Sequence, residues 1–298
     1  AYFYPRLQQY HRFLAGRLGS STTRNLHSGL IRTWDYWYNS GGWDDYPPQV
    51  YARNHGLHPT VTPVINTAHA IRTAKILRMA ARELGEDVAE YDQDIADLAG
   101  ALQSYAWDEE TGYFSYVLHD EQGEPTGFLR HSSGTNFNMG MDGAYPLVAD
   151  CCTPAQTRRL IEHLLTPGRM WSPIGLSTVD QRAPYYRNDG YWNGAVWMAH
   201  QYFFWKALLD QGEGEAAYRV AATALDLWQR EVARTYNCYE HFVVGSERGA
   251  GWHHFGALSA PVLNWFSAYH RPGHLTTGHN GWVRELRYAA NQTGLMAE

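Results

Sequence analysis

Helical periodicity constrains this chain more than any other feature of its sequence. From Val88 to Tyr105, apolar residues recur at alternating steps of three and four, which is the pattern of an amphipathic helix. The preceding segment places apolar residues at positions 71, 74, 77, 81 and 84 on one face. It ends at Gly85, which adopts the left-handed conformation of a helix C-terminus at little cost. The two segments are therefore predicted to pair as an antiparallel helix hairpin.

The same pattern recurs along most of the chain. Residues 153–156, TPAQ, read as a capping box with proline at the first helical position, which predicts another helix start. Further helices are predicted over residues 5–18, 192–210, 215–232 and 255–269, and a short hairpin over residues 107–114. Roughly eight helices joined by long loops favour an all-α fold of helix pairs, in one domain over residues 1–298.

Composition narrows the classes of partner. Hydrophobic residues make up 44% of the chain and charged residues 18%, with 12 Trp and 21 Tyr, which is typical of a globular protein. The formal charge of −6, without long basic runs, argues against nucleic acid and membrane surfaces as partners. No long apolar stretch and no signal-peptide pattern occur, so we expect a soluble chain and leave its compartment open.

The cysteines do not predict a disulfide framework. Cys151, Cys152 and Cys238 are too few for a disulfide framework, and adjacent cysteines rarely bridge each other, so free thiols are predicted. A glycosylation triplet at residues 291–293 does not by itself fix the compartment, since such triplets also arise by chance.

Two distant segments each place a carboxylate among aromatic residues: residues 41–48, GGWDDYPP, and residues 238–255, CYEHFVVGSERGAGWHHF. Glycosidic cleavage requires a carboxylic acid that protonates the departing oxygen and a carboxylate on the other side of the sugar. Asp44 and Glu240 are the candidates, with Glu247 as a rival for the second role. On residue type alone, a turn-capping Asp44 and a Glu240 that is solvated or paired with Arg248 are the commoner interpretations.

Residues around these carboxylates are candidates for sugar contacts. Trp43, Trp192 and Trp252 lie at predicted loop ends, where an indole face is able to contact sugar C–H groups. Trp197 lies inside the predicted apolar helix and is expected in the core. Asp142 and Asp189 fit either hydrogen bonding to hydroxyls or helix capping. The other candidate contacts are Asp45, Tyr46, Tyr191, Asn193, Gly194, His253 and His254.

Four spaced motifs resemble those of glycoside hydrolase family 63, which includes processing α-glucosidase I and mannosylglycerate-hydrolase-like enzymes. GGWDDYPP is similar to the family's SGxDDYP segment, and residues 191–197, YWNGAVW, resemble YWRGPxW. Residues 175–177, GLS, resemble a GLPS loop, and Tyr239-Glu240 resembles the WEQY-type segment of the catalytic base. Several motifs in the same order, spread over residues 40–268, are far more specific than one short match.

This resemblance implies an (α/α)6 toroid of helical hairpins and an inverting glycoside hydrolase without a cofactor or metal. It makes Asp44 the general acid and Glu240 the general base, acting on an α-linked glucoside or related small glycoside. Asn193 stands where the family usually has Arg, which leaves the sugar contacts open. The predicted helices are fewer than a full toroid needs. Residues 1–298 are therefore expected to be the C-terminal two-thirds of a longer enzyme, with a preceding segment or a companion chain completing the barrel, unless the barrel is open.

Two other functions remain open from the sequence. A sugar epimerase of the (α/α)6 type uses histidines for proton transfer, which would make His253 or His254 the base. A noncatalytic carbohydrate-binding relative would keep the aromatic cleft and use the carboxylates only to hold hydroxyls. A metal site is not expected, because adjacent histidines point in different directions and no HExxH or paired Cys/His spacing occurs. Serine-hydrolase elbows, P-loops and dinucleotide fingerprints are also absent.

Overall fold

Helices dominate this computed structural model, which describes residues 1–32, 42–289 and 295–297. Gly41 of the first motif and the triplet at 291–293 lie outside the described residues. Among the described residues there are nine helices, which confirms the predicted all-α class. They are α1 (Tyr4–Leu14), α2 (Pro47–Asn54), α3 (Val64–Leu84), α4 (Ala89–Tyr105), α5 (Met141–Val148), α6 (Pro154–Leu165), α7 (Met198–Asp210), α8 (Gly214–Thr235) and α9 (Gly256–His270).

Short antiparallel strands connect the helices. They are β1 (Val61–Thr62), β2 (Trp107–Asp108), β3 (Tyr113–Phe114), β4 (Val117–His119), β5 (Pro125–Phe128), β6 (Trp171–Ser172), β7 (Gly175–Leu176), β8 (His241–Val243), β9 (Arg248–Ala250), β10 (Leu286–Tyr288) and β11 (Leu295–Ala297). Strand β4 lies between β1 and β5, and the other strands pair in twos. The predicted hairpin over residues 107–114 is confirmed, with Trp107 opposite Phe114.

The helices pack in two layers. Helices α3, α5, α7 and α9 lie side by side in chain order, and α4, α6 and α8 pack against α3, α5 and α7 respectively. All eight residues of α5 are buried, since this helix has neighbours on every side. The loops between the layers carry the short strands and also the segments singled out from the sequence.

Local sequence signals account for some of the helix ends. Helix α3 ends before Gly85, whose φ of 72° is the left-handed cap that its sequence predicted. The Thr153 side chain accepts a hydrogen bond from the Gln156 backbone, and the Gln156 side chain returns one, so the capping box of α6 is confirmed. The three cysteines are free thiols, also as predicted.

Two helix boundaries were predicted wrongly, and two helices were missed. The helix predicted over residues 5–18 ends at Leu14, shortly before Gly16, whose φ of 75° is left-handed. The helix expected from residue 192 begins only at Met198, because Val196 pairs with Phe242 through two backbone hydrogen bonds of 2.9 Å. A short apolar run does not distinguish a buried extended segment from a helix, which explains the error. Helices α2 and α5 are each eight residues long and contain proline, so they show little periodicity.

Candidate active site

The loop that carries Asp44 is fixed on both sides of that residue. Trp43 is buried, and Tyr46 is buried with its phenol donating a hydrogen bond of 2.9 Å to Asn138. Two prolines after Tyr46 start α2, because proline suits the first helical positions, where no N–H donor is needed. The Asp44 side chain between these anchors is exposed. A fixed backbone with an exposed carboxyl group suits a residue that acts on a ligand.

Glu240 lies directly before β8 and is held on both carboxylate oxygens. The Tyr191 phenol donates a short hydrogen bond to Oε1, and the Trp252 backbone N–H donates one of 3.2 Å to Oε2. The Glu240 N–H in turn donates to the Trp252 carbonyl at 3.0 Å. Because Phe242 of β8 pairs with Val196, the hairpin stays beside the Tyr191 segment. Glu240 is half-buried in this position.

The two loops that carry the candidate carboxylates meet at Tyr191 and Trp192. Asp45 accepts a hydrogen bond of 2.6 Å from the Trp192 backbone N–H. Burial raises the pKa of Tyr191 most, and the hydrogen bond and charge of Glu240 and the charge of Asp44 raise this pKa further. Because Asp44 directly precedes Asp45, its backbone lies beside the same two residues. The structure thus brings Asp44, Asp45 and Glu240 together around Tyr191, although they are far apart in sequence.

Three stacked indoles lie beneath this meeting point. Trp43 and Trp192 stack with ring centroids 5.6 Å apart, and Trp192 and Trp197 stack at 3.6 Å. His241 continues the stack on Trp197 at 5.3 Å. Burial of Trp197 confirms the prediction that it is a core residue. Trp43 and Trp192 are covered in the same way, so neither offers an open face to a sugar, and that expectation was wrong. Trp252, in contrast, is 62% exposed beside Glu240.

Asp142 lies in the core and not in a cleft, which corrects its candidate role as a sugar contact. Its carboxylate accepts hydrogen bonds from the Tyr116 phenol at 3.0 Å, the Asn138 amide at 3.1 Å and the Ile65 backbone N–H at 3.1 Å. Burial nevertheless raises the pKa of Asp142 to about 6. Tyr46 is also fully buried, and its phenol is used by Asn138. Both residues therefore support the candidate site from the core.

The turn before Trp192 uses the remaining candidates for its own contacts. Asp189 is exposed and pairs with Arg187 at 3.2 Å. Asn193 accepts the Tyr191 N–H at 3.0 Å through its side chain, which explains how Asn fits a position where the family has Arg. Gly194 lies so close to the Arg187 carbonyl that a Cβ would come within 1.8 Å of that oxygen. Asn193 and Gly194 therefore shape the turn.

Arg248 and Glu247, on the β8–β9 hairpin, form ion pairs with residues other than Glu240. Arg248 pairs with the buried Glu231 at 2.8 Å, so the alternative pairing of Glu240 with Arg248 was wrong. Glu247 is exposed at the hairpin turn and lies 3.6 Å from Arg230. His253 and His254 are exposed, with ring centroids 4.2 Å apart.

Some residues of the site were not identified from the sequence. His241 follows the candidate base directly and stacks on Trp197, and burial lowers its pKa. His200 contacts the Trp43 ring edge-on and bonds the Tyr145 phenol at 2.7 Å, and burial lowers its pKa to about 3. Only the position of His241 next to Glu240 was a signal in the sequence, since His200 reaches the site through packing of α7.

Two features are absent from the described part of the chain. Over residues 1–32, 42–289 and 295–297, no three His, Cys, Asp or Glu side chains are placed to hold a metal ion together. None of the helices in that part of the chain is both long enough and apolar enough to span a bilayer.

Comparisons with known proteins give the family and the fold of this chain. A family model described as the mannosylglycerate hydrolase MGH1-like glycoside hydrolase domain matches residues 3–256. Mannosylglycerate hydrolase of Thermus thermophilus is 29% identical over 180 residues, which are 59% of this chain and 39% of that relative. The chain thus spans about two-fifths of the length of that curated relative.

Solved structures show the same fold. A family 63 mannosylglycerate hydrolase from T. thermophilus in complex with glucose matches with a TM-score of 0.62 and 22% identity, over 89% of this chain and 68% of that one. Neutral trehalase from Saccharomyces cerevisiae matches with a TM-score of 0.56 and 16% identity, over 72% of this chain and 39% of that one. These neighbours are (α/α)6 toroids, which confirms the predicted architecture. With its family match over residues 3–256, this chain belongs to the MGH1-like glycoside hydrolase domain family and resembles glycoside hydrolase family 63.

Proposed function

We propose that this domain hydrolyses a small α-linked glycoside with inversion at the anomeric carbon, using Asp44 as general acid and Glu240 as general base. The observation that supports this proposal is geometric: Tyr191 hydrogen-bonds Glu240, and the next residue, Trp192, hydrogen-bonds Asp45, the neighbour of Asp44. The family assignment makes glycoside hydrolysis the expected reaction class. In an inverting pair, the two carboxyl groups are expected to lie about 6.5 to 9.5 Å apart.

Each carboxyl group has one proton to move in this reaction. Asp44 gives its proton to the glycosidic oxygen as the bond to the anomeric carbon breaks, and the aglycone leaves as an alcohol. Glu240 takes a proton from a water molecule, whose oxygen bonds to the anomeric carbon from the opposite face. The sugar is released with inverted configuration. Proton exchange with water then returns both groups to their starting states.

The substrate class follows from relatives and is the finer part of the proposal. The curated relative is named a mannosylglycerate hydrolase, and one matched structure of such an enzyme is in complex with Tris and D-glycerate. We therefore include glycerate glycosides of mannose and glucose with simple α-glucosides as the substrates to test. Nothing in the comparisons supports a companion chain. The activity is proposed for the domain within whatever full-length protein contains it.

The alternatives predict different outcomes in one set of assays. Asp44→Asn and Glu240→Gln should each abolish hydrolysis of the best substrate in a panel of α-glucosides, α-mannosides and glycerate glycosides, while sugar affinity changes little. The product anomer, recorded by NMR before mutarotation, should be β. Retention of full activity in both variants would refute the assignment. Loss of activity in His253→Ala or His254→Ala, with interconversion of epimers in the native protein, would favour the epimerase instead.

A further inference from the structure

Two neighbouring residues contact both catalytic loops. The Tyr191 side chain donates its phenol hydrogen to Oε1 of Glu240, and the Trp192 backbone donates its N–H to Oδ1 of Asp45 at 2.6 Å. Asp45 follows Asp44 directly, so its contact fixes the backbone that carries the candidate acid. One dipeptide therefore touches the acid loop on one side and the base side chain on the other.

The dipeptide is itself held firmly. Its N–H at Tyr191 donates to the Asn193 side chain at 3.0 Å, and its carbonyl at Tyr191 accepts the Ala195 N–H at 3.0 Å. The Asn193 carbonyl accepts the Arg187 N–H at 3.0 Å, which closes the turn. The Trp192 ring is enclosed by two other indoles. Because packed groups move little, a dipeptide with these contacts fixes the two loops relative to each other.

Asp45 makes a structural contact in this arrangement. It is half-buried, and burial raises its pKa most, while the Trp192 N–H lowers it and the Asp44 charge raises it. Its Oδ1 is occupied by a backbone donor. The contact of Tyr191 with Glu240 is equally direct, because its phenol has one hydrogen to donate and donates it to the carboxylate.

We propose that Tyr191 and Asp45 are positioning residues, one for each catalytic carboxylate, and that the Tyr191-Trp192 dipeptide sets the separation between acid and base. This inference rests on the proposed function. It assigns the two side chains to protein contacts in place of the sugar contacts expected from the sequence. The separation matters, because room for one water between the base and the sugar distinguishes inverting from retaining pairs. A displacement of about 1 Å at such a group costs roughly 100-fold in rate.

The test uses two leaving groups on the same sugar. Mannosylglycerate needs a proton on its departing oxygen, whereas fluoride leaves α-mannosyl fluoride with little help from an acid; the two corresponding glucosides form a second pair. Asp45→Ala, which displaces the acid, should lower kcat on the glycerate glycoside at least roughly 10-fold more than on the fluoride. Asp45→Asn keeps an oxygen acceptor for the Trp192 N–H and should recover most of the loss.

Tyr191→Phe should behave as a defect of the base. We expect kcat to fall roughly 10- to 100-fold on both substrates, with KM within about threefold of the native value, because the base acts on water whatever the leaving group. Tyr4→Phe removes a phenol that is bonded at 3.0 Å to Tyr91, and Asp92→Asn alters an exposed ion pair with Arg78. These two controls should leave both rates unchanged.

Several results would overturn the inference. It is wrong if Asp45→Ala loses the same factor in kcat on both substrates, or if Asp45→Asn recovers none of that loss. It is also wrong if the kcat of Tyr191→Phe stays within about threefold of the native value. If Asp45→Ala fails to fold, Asp45→Ser replaces it and is judged by the same ratio. Asp44→Asn and Glu240→Gln run beside them. If these two keep activity, the proposed function fails; if they lose it while the positioning variants do not, only the inference fails.

Discussion

Gly251→Ala is predicted to displace the candidate base, Glu240, without changing its carboxyl group. Gly251 has φ of 74°, and a Cβ at this position would lie 2.3 Å from Oε2 of Glu240, 3.0 Å from its Cβ and 3.0 Å from Cε1 of His241. Contacts this short force the carboxylate to move, since the backbone around it is paired with Trp252. A shift of about 1 Å corresponds to a loss of roughly 100-fold in kcat.

The same substitution also strains the backbone, and that cost needs its own control. An alanine in the left-handed region costs about 1 to 2 kcal/mol. Gly85→Ala carries the same strain, with φ of 72°, but its methyl group would meet no atom within 4 Å. Gly85→Ala should therefore lose roughly 2 to 4 °C in Tm for each kcal/mol, and Gly251→Ala should lose at least as much because it adds the clash. Only Gly251→Ala should lose activity.

The assay is kcat on the best substrate of the panel, measured together with Tm for both variants. A Gly251→Ala enzyme with kcat within about threefold of the native value would refute the geometric reasoning, because the clash would then have no effect on the base. An equal loss of kcat in Gly85→Ala would refute it as well, since strain alone would explain the effect.

Two further predictions concern other parts of the site. Trp252→Ala should raise KM roughly 3- to 10-fold with a smaller effect on kcat, because the exposed indole is lost while the backbone N–H to Glu240 remains. Trp252→Phe should recover part of the affinity, and an unchanged KM in Trp252→Ala would exclude a sugar contact. Asp142 has a pKa of about 6 when folded and an ordinary value near 4 when unfolded, so its contribution to the free energy of unfolding is largest below about pH 4 and is lost as pH rises to about 6. Asp142→Asn should flatten that pH dependence in chemical denaturation, and an unchanged pH dependence would contradict the shift.

Long amphipathic helices were the part of the fold that the sequence predicted best. Helices α3 and α4 expose one face and bury the other, so their periodicity carries the information. Helix α5 is buried all round and has no such contrast. The segment at Trp192 failed for a related reason, because its extended backbone is set by pairing with Phe242, which lies far along the chain.

The candidate site was also predicted only in part from the sequence. Motif order and residue type were enough to single out Asp44 and Glu240, since they occur within recognisable local segments. The contacts that hold them were not accessible from the sequence: Tyr191 and Glu240 are 49 positions apart, and Asp45 and Trp192 are 147 apart. Asp142 was misjudged because an aspartate in the first turn of an apolar helix has the same sequence pattern whether it faces a cleft or the core.

The three stacked indoles give the protein a built-in optical signal. Trp43 precedes the candidate acid by one residue, and Trp192 lies in the dipeptide that touches both loops. Indoles held in fixed packing contribute to the near-ultraviolet circular dichroism, a signal that is lost when tertiary packing is lost. The docking of the acid loop is therefore readable in the unlabelled protein before any sugar is added.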